Sequence, residues 1–229
     1  FKDQYDHMYH LWIRHSSLKG REEVSCMLLG DGAVGKTSII ISYVFNGYSS
    51  DYKQTAFDVF TGLVHVNGTP TRIKLIDTAG QDEFGHLRSL CYAYVDVFIL
   101  CFSLVNPGSF HNIATKWIPQ IRCRNFTSPI ILVGTQSDLC NNVNVLLHLQ
   151  ERNMAPVNFK QAKKLAKRIQ AHDFVECSAL TQHHLKDVFD SAIFAAIKNK
   201  WAGGKSKKLS IIKSLRSLSY RGWKKIFSN

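Results

Sequence analysis

The sequence predicts an α/β fold in which βαβ units surround a mostly parallel sheet. Six strand-like apolar runs, Val24 to Gly30, Phe57 to Val66, Thr71 to Asp77, Val95 to Phe102, Pro129 to Gly134 and Phe174 to Cys177, alternate with segments of helical periodicity. A glycine-bearing stretch, Gly30 to Thr37, stands between the first run and a helix beginning Ser38-Ile39-Ile40. Two late helices carry an apolar stripe at 3.6-residue spacing, as helices packed on a sheet require.

The 229 residues are enough for one domain with extensions, and 45% hydrophobic with 20% charged residues is the composition of a folded body rather than a disordered chain. Residues 1–22 read as an N-terminal extension, with Tyr5, His7, Tyr9, His10 and Trp12 in no metal-ligand pattern. Residues 23–200 read as the domain. Within it, Asn67 and Gly68 between two strand-like runs predict a hairpin, so one strand pair is expected to be antiparallel. The run Val95 to Phe102 contains Asp96 and falls far short of the ~20 apolar residues a bilayer crossing needs.

The polar stretch Asn141 to Asn158, with Val145, Leu146, Leu147 and Leu149, predicts a surface helix in an insertion at about 141–156. A helix opens near Asn158, with Gln161 completing a capping box and Phe159, Ala162, Leu165, Ala166 and Ile169 on one face. The last helix starts near His184 and lines up Leu185, Val188, Phe189, Ala192, Ile193 and Ala196 before Gly203-Gly204 ends the pattern. Six cysteines without CxxC spacing, several in apolar runs, read as reduced buried thiols and point to a cytosolic setting.

Chemistry enters at Gly30-Asp31-Gly32-Ala33-Val34-Gly35-Lys36-Thr37, which fits GxxxxGK(S/T) in its required strand-to-helix setting. Glycines let backbone N–H groups turn toward phosphate oxygens, and the helix starting at Ser38 adds its positive end. Lys36 is expected to neutralise β and γ oxygens, and Thr37 to ligate Mg²⁺. About 40 residues on, Asp77-Thr78-Ala79-Gly80-Gln81 closes a strand where a second acidic Mg²⁺ holder, acting through water, is needed. Gly80 allows a backbone N–H near a γ-phosphate, and the Gln81 amide has both the donor and the acceptor needed to orient a water.

Gly134-Thr135-Gln136-Ser137-Asp138-Leu139 follows another strand, and the Asp138 carboxylate can accept the two N–H donors of guanine that adenine lacks. Ser178-Ala179-Leu180 follows a further strand, with the Ala179 N–H suited to guanine O6. A phosphate loop that serves a kinase or ATPase is the rival, but no lid-like arginine cluster is evident.

In this order and spacing, from about Glu23 to Lys200, the motifs resemble those of a Ras-like small GTPase. Gly-Asp-Gly-Ala-Val-Gly-Lys-Thr at 30–37, Cys-Ser-Ala-Leu-Thr at 177–181, Trp117-Ile118-Pro119 and the insertion after Asp138 are similar to the Rho family. Thr135-Gln136-Ser137-Asp138 and the tail resemble its atypical Wrch/Chp branch. The resemblance implies a P-loop NTPase of the small G-protein fold, with a six-stranded mostly parallel sheet, helices on both faces and a Rho-type insertion. It implies a switch that binds GTP, hydrolyses it to GDP and, while GTP-bound, engages effectors, in cytoskeletal or adhesion signalling.

Carried onto this chain, the resemblance makes Thr55 the switch I threonine on Mg²⁺ and γ-phosphate, with Gln81 and Lys36 sharing the catalytic work. Tyr48 would stack near guanine and Tyr52 would cover the phosphates. Phe57, Asp58 and Phe60 would form the effector strand, and Phe84, Leu87 and Leu90 an apolar patch that partners grip. Exchange factors, GTPase-activating proteins and effectors such as CRIB-containing kinases are the implied partners. Gln54, Val59-Phe60 and Tyr48 depart from the Rho pattern, which leaves open a fast-exchanging, largely GTP-loaded scaffold.

The net charge of +12 comes mostly from the tail, 201–229, where Lys205, Lys207, Lys208, Lys213, Arg216, Arg221, Lys224 and Lys225 interleave with apolar residues and no acid occurs. That composition predicts contact with an anionic membrane surface, on the inner face of plasma or endosomal membranes, for an otherwise cytoplasmic protein. No cysteine follows Cys177, so neither prenylation nor palmitoylation of the tail is expected. No specific nucleic-acid partner is expected.

Overall fold

The computed structural model describes residues 23–48, 55, 57–66, 69–202 and 219–225. The chain runs β1 (Glu23–Leu29), α1 (Lys36–Phe45), β2 (Phe57–Val66), β3 (Thr69–Thr78), α2 (Gly85–Cys91), β4 (Val97–Ser103), α3 (Pro107–Asn112), α4 (Ile118–Arg124), β5 (Ile130–Thr135), α5 (Val143–Glu151), α6 (Phe159–Arg168), β6 (Asp173–Glu176), α7 (Leu185–Ala202) and β7 (Ser219–Lys225). The sheet order is β6-β5-β4-β1-β3-β2-β7. β1 pairs in parallel with both β3 and β4, β4 with β5, and β5 with β6. β2 and β3 are antiparallel, with Val66 opposite Thr69, the antiparallel pair the sequence predicts.

These are the six expected strands with one antiparallel pair. The tail adds a seventh: β7 runs antiparallel to β2, from Phe60 opposite Lys225 to His65 opposite Ser219, with a register shift between Gly62 and Leu63. The basic tail therefore returns to the domain, and its residues 203–218 lie outside those described, as do residues 1–22 and Asn67-Gly68, where the sequence predicts the hairpin's turn. No helix among the described residues is long and apolar enough to cross a membrane.

Alternation along each strand divides the core in two. Val24, Cys26 and Leu28 of β1 pack with Ile39 and Ile40 of α1 and with Val188, Phe189 and Ala192 of α7. Met27 and Leu29 face the opposite way, toward Tyr92, Ile113, Trp117, Ile121, Ala162 and Leu165. Because both faces are covered, the central strands read as unbroken apolar runs rather than as alternating ones. Chain reversal places β1 between β3 and β4, so the loops after β1, β3 and β5 converge at one rim of the sheet, where open α/β sheets take ligands.

The capping box of α6 forms as its sequence predicts: Asn158 Oδ1 accepts from the Gln161 amide at 2.9 Å, and Gln161 Oε1 accepts from the Asn158 amide at 3.0 Å. Phe159 is a correction. It was expected on the buried face but is 51% exposed, because as the first helical residue it reaches only the sheet's margin, where its ring meets Phe174 at 5.6 Å. The insertion contains α5, capped by Asn142, whose side chain accepts from Asn144 and Val145.

Between α3 and α4, residues Ile113–Trp117 form a π-helical turn in which the Ile118 N–H reaches back five residues to the Ile113 carbonyl. Pro119 follows within α4. A proline has no N–H to give the preceding turn and its ring crowds that turn's carbonyl, so a widened turn just before it relieves both problems. All six cysteines are free, and Cys26, Cys91, Cys101 and Cys177 are buried. Burial pushes the Cys91 and Cys177 thiols up to about 12, which leaves them inert apolar fillers.

Candidate functional site

β1 ends at Leu29, and the loop that follows turns through Gly30 at φ 139° and Gly35 at φ 91°, both in the left-handed region. A side chain at Gly30 would stand 2.1 Å from the Cys101 carbonyl oxygen of β4, so only glycine fits this exit. α1 then opens at Lys36 with no side chain capping its first turn, leaving first-turn amides directed at the loop's interior. Lys36 is 6% exposed and folds back to donate to the Gly30 carbonyl at 2.9 Å and the Asp31 carbonyl at 2.7 Å. Burial lowers its pKa, and the nearby Asp77 charge opposes that shift. Lys36 is thus curled into the loop that precedes its helix.

Three oxygens meet beside it. Thr37, the second residue of α1, donates its hydroxyl to Asp77 Oδ2 at 2.6 Å, and its Oγ1 lies 2.7 Å from Thr55 Oγ1. Asp77, at the end of β3, is fully buried, and its other oxygen, Oδ1, has no hydrogen-bond partner. Burial pushes the carboxyl up to about 6, against the opposing pull of the Thr37 hydroxyl and the Lys36 charge. One carboxylate and two hydroxyls are an all-oxygen set suited to Mg²⁺, which commonly takes one or two carboxylates and completes its shell with water and phosphate oxygens. No cluster of three or more His, Cys, Asp or Glu suited to a metal occurs among the described residues.

Gly80 lies against the phosphate loop so closely that an added Cβ would be 2.4 Å from the Asp31 carbonyl carbon and from the Gly32 nitrogen. Gln81 follows, and its Nε2 is 3.9 Å from where a side chain on Gly32 would begin. The turn is fixed from behind by Arg88 of α2, 1% exposed, whose Nη1 donates to the carbonyls of Ala79 and Gln81, each at 2.6 Å. Arg88 is an arginine the sequence reading passed over: it shapes the Gln81 turn through backbone carbonyls.

The other end of the rim is built from β5 and the segment after β6. Thr135 Oγ1, buried, lies 2.5 Å from the Val34 carbonyl and 2.9 Å from that of Phe102, tying this loop to the phosphate loop. Gln136 takes a left-handed backbone at φ 60°, and its Oε1 accepts from Ser103 Oγ at 2.5 Å while Nε2 donates to the Ala33 carbonyl at 3.4 Å. Asp138 Oδ1 accepts from Ser178 Oγ at 2.5 Å, which orients the carboxylate, and the Ala179 carbonyl takes the Ser42 hydroxyl of α1 at 2.7 Å. Leu139 is half-buried beside them, whereas Leu180 is 55% exposed and Tyr48, three residues past α1, is 49% exposed. The structure brings residues 30–38, 55, 77–81, 135–139 and 178–180 to one rim, and Tyr52 lies outside the described residues.

The effector set needs one correction. Phe60 is 1% exposed and Phe57 9%, their rings packed into opposite cores, because strand alternation on a two-faced sheet turns both inward. Of that trio, Asp58 is the more exposed. Leu90 is 40% exposed and Phe84 half-buried. Leu87 lies in α2, between them in sequence.

Comparison with known proteins agrees with this geometry. The model of the Ras family matches residues 25–198. The chain is 53% identical to the Rho-related GTP-binding protein RhoV of Rattus norvegicus over 205 residues, covering 89% of this chain and 86% of that protein. RhoV of Homo sapiens is also 53% identical over the same shares, and RhoV of Bos taurus 52%.

Proposed function

The chain belongs to the Ras family, in the Rho branch beside the RhoV proteins, as a GTP-binding switch that hydrolyses GTP; on that premise we propose that Gln81, Lys36 and Thr55 carry the chemistry. The observation that carries this reading is the seating of Gly80 on the Asp31–Gly32 backbone, which puts the Gln81 amide over the phosphate loop. From there Gln81 orients the attacking water with its carbonyl oxygen and amide, while Lys36 transfers its donors from the Gly30 and Asp31 carbonyls to β and γ oxygens. Thr37, Thr55 and, through water, Asp77 would hold Mg²⁺, which neutralises charge on the β and γ oxygens when bound. Asp138, fixed by Ser178, reads the guanine edge, with Thr135, Gln136 and Leu139 bracing its loop and Ala179 facing O6.

Arg88 is turned inward to the Ala79 and Gln81 carbonyls, so we assign the arginine of fast hydrolysis to an activating protein, with slow turnover by the chain alone. Asp58, Phe84 and Leu90 form the face offered to effectors, including CRIB-containing kinases; Phe57 and Phe60 set its strand from within. The test is single-turnover hydrolysis of GTP by the Mg²⁺-loaded chain beside Gln81→Leu, with excess ATP as competitor. Gln81→Leu is expected to slow hydrolysis by roughly a hundredfold or more, as loss of one preorganised transition-state group does, with ATP unable to displace GTP. Hydrolysis equal in both forms would remove Gln81 from the mechanism, and binding without hydrolysis in either would favour the fast-exchanging scaffold.

The eight basic residues between 201 and 229, unopposed by any acid, support contact with an anionic inner leaflet. Vesicles containing phosphatidylserine are expected to sediment the full chain, with binding that weakens as salt rises, and pure phosphatidylcholine vesicles to leave it in solution. Equal sedimentation with both would sink this reading.

A further inference from the structure

The Trp117 indole is fully buried, yet its one polar atom serves the phosphate loop: Nε1 donates to Asp31 Oδ1 at 2.8 Å. The second oxygen of the same carboxylate accepts from Asn112 Nδ2 at 2.6 Å. Both oxygens of Asp31 are thus held by residues 107–124, a segment separate from the loop itself and from the Gln81 turn. The π turn at Ile113–Trp117 separates these two donors by five residues, where an unbroken α-helix brings together residues three or four apart.

The same ring also meets the Gln81 turn. The Arg88 guanidinium lies 5.1 Å from the ring centre while its Nη1 donates to the Gln81 carbonyl at 2.6 Å. Lys116 Nζ lies 4.9 Å from the ring and pairs with Asp82, the residue after Gln81, at 2.6 Å. A cation near an indole ring is attracted to its face, so the ring anchors both side chains that reach the turn. Trp117 therefore touches the phosphate loop through its N–H and the Gln81 turn through two cations.

We infer that Trp117 is a positioning residue for GTP hydrolysis, fixing the Gln81 turn relative to the Asp31 side of the phosphate loop. This rests on Gln81 orienting the water as proposed above. Hydrolysis requires that water to be placed to within a fraction of an ångström of line with the γ-phosphate, so a looser turn slows the chemical step while leaving nucleotide contacts in place. Trp117→Phe keeps a buried aromatic ring but deletes the N–H to Asp31.

The experiment measures single-turnover hydrolysis, GTP affinity and thermal midpoint for the Mg²⁺-loaded full chain, Trp117→Phe, Gln81→Leu and the double variant. Trp117→Phe is expected to slow hydrolysis by roughly tenfold, with GTP affinity changed less than about threefold, and to slow Gln81→Leu no further. Unchanged hydrolysis in Trp117→Phe would overturn the assignment, and so would equal slowing in the presence and absence of Gln81. If Gln81→Leu hydrolyses like the parent, the failure lies in the role given to Gln81, and the assignment of Trp117 falls with it. Should Trp117→Phe not fold, Lys116→Met, which removes the cation that joins the Trp117 ring to Asp82 beside Gln81, is expected to slow hydrolysis by a few-fold with GTP affinity unchanged; full activity in that variant would equally overturn the assignment.

Discussion

Lys36→Met is expected to weaken GTP loading by about a thousandfold, measured by equilibrium titration with a fluorescent GTP analogue in Mg²⁺. The ammonium is 6% exposed and already desolvated, so most of the cost of burying a charge is borne by the folded protein before nucleotide arrives. Its donors rest on the Gly30 and Asp31 carbonyls at 2.9 and 2.7 Å and need only turn to phosphate oxygens. Two charge-assisted hydrogen bonds at roughly 1.5–3 kcal/mol each amount to about 4 kcal/mol, or three decades of affinity. Methionine matches the length of the stem, so a folded spectrum should persist. A loss smaller than tenfold would mean that the loop amides and the helix end hold the phosphates by themselves.

Asp138→Asn should exchange one base for another. The carboxylate offers acceptors to both guanine N–H groups, and Ser178 Oγ at 2.5 Å fixes which oxygen faces inward. An asparagine keeps the oxygen toward Ser178 and puts an amide donor where the guanine amine also donates, so attraction becomes repulsion at one position. The expected loss for GTP is about a hundredfold or more, while xanthosine triphosphate, which has a carbonyl at that position, should gain affinity by a similar factor. Competition between the two nucleotides for the same variant reads both effects. GTP binding that survives intact would place the base elsewhere on the rim.

Much of this site could be read from the residue string because its parts are contiguous. The loop 30–37, the turn 77–81 and the segment 134–139 each carry strand, turn and functional side chain within a few residues, and the β2–β3 register and the α6 capping box are equally local. What escaped reading is what contact at long range creates. Asp31 and Trp117 are separated by 86 positions, and nothing in either neighbourhood announces the bond between them. Arg88 reads as an ordinary basic residue of an amphipathic helix until burial at 1% shows otherwise. Phe57 and Phe60 were legible as strand residues, but their burial on opposite faces depends on helices from distant parts of the chain. The pairing of Ser219–Lys225 with β2 escaped because alternating basic and apolar residues suit a membrane surface and a sheet edge alike.

The widened turn at Ile113–Trp117 amounts to an offset in phase. Each residue of an α-helix advances about 100° around the axis, so one extra residue rotates everything downstream by that amount relative to everything upstream. Ile113 and Ile121, eight residues apart and both fully buried, would stand about 80° apart on a regular spiral; the extra residue brings them to within about 20° of one face. Residue number along this segment is thereby a constraint of its own: substitutions that keep the count leave the facing intact, while a single deletion restores a regular spiral and turns Trp117 and its upstream neighbours out of alignment.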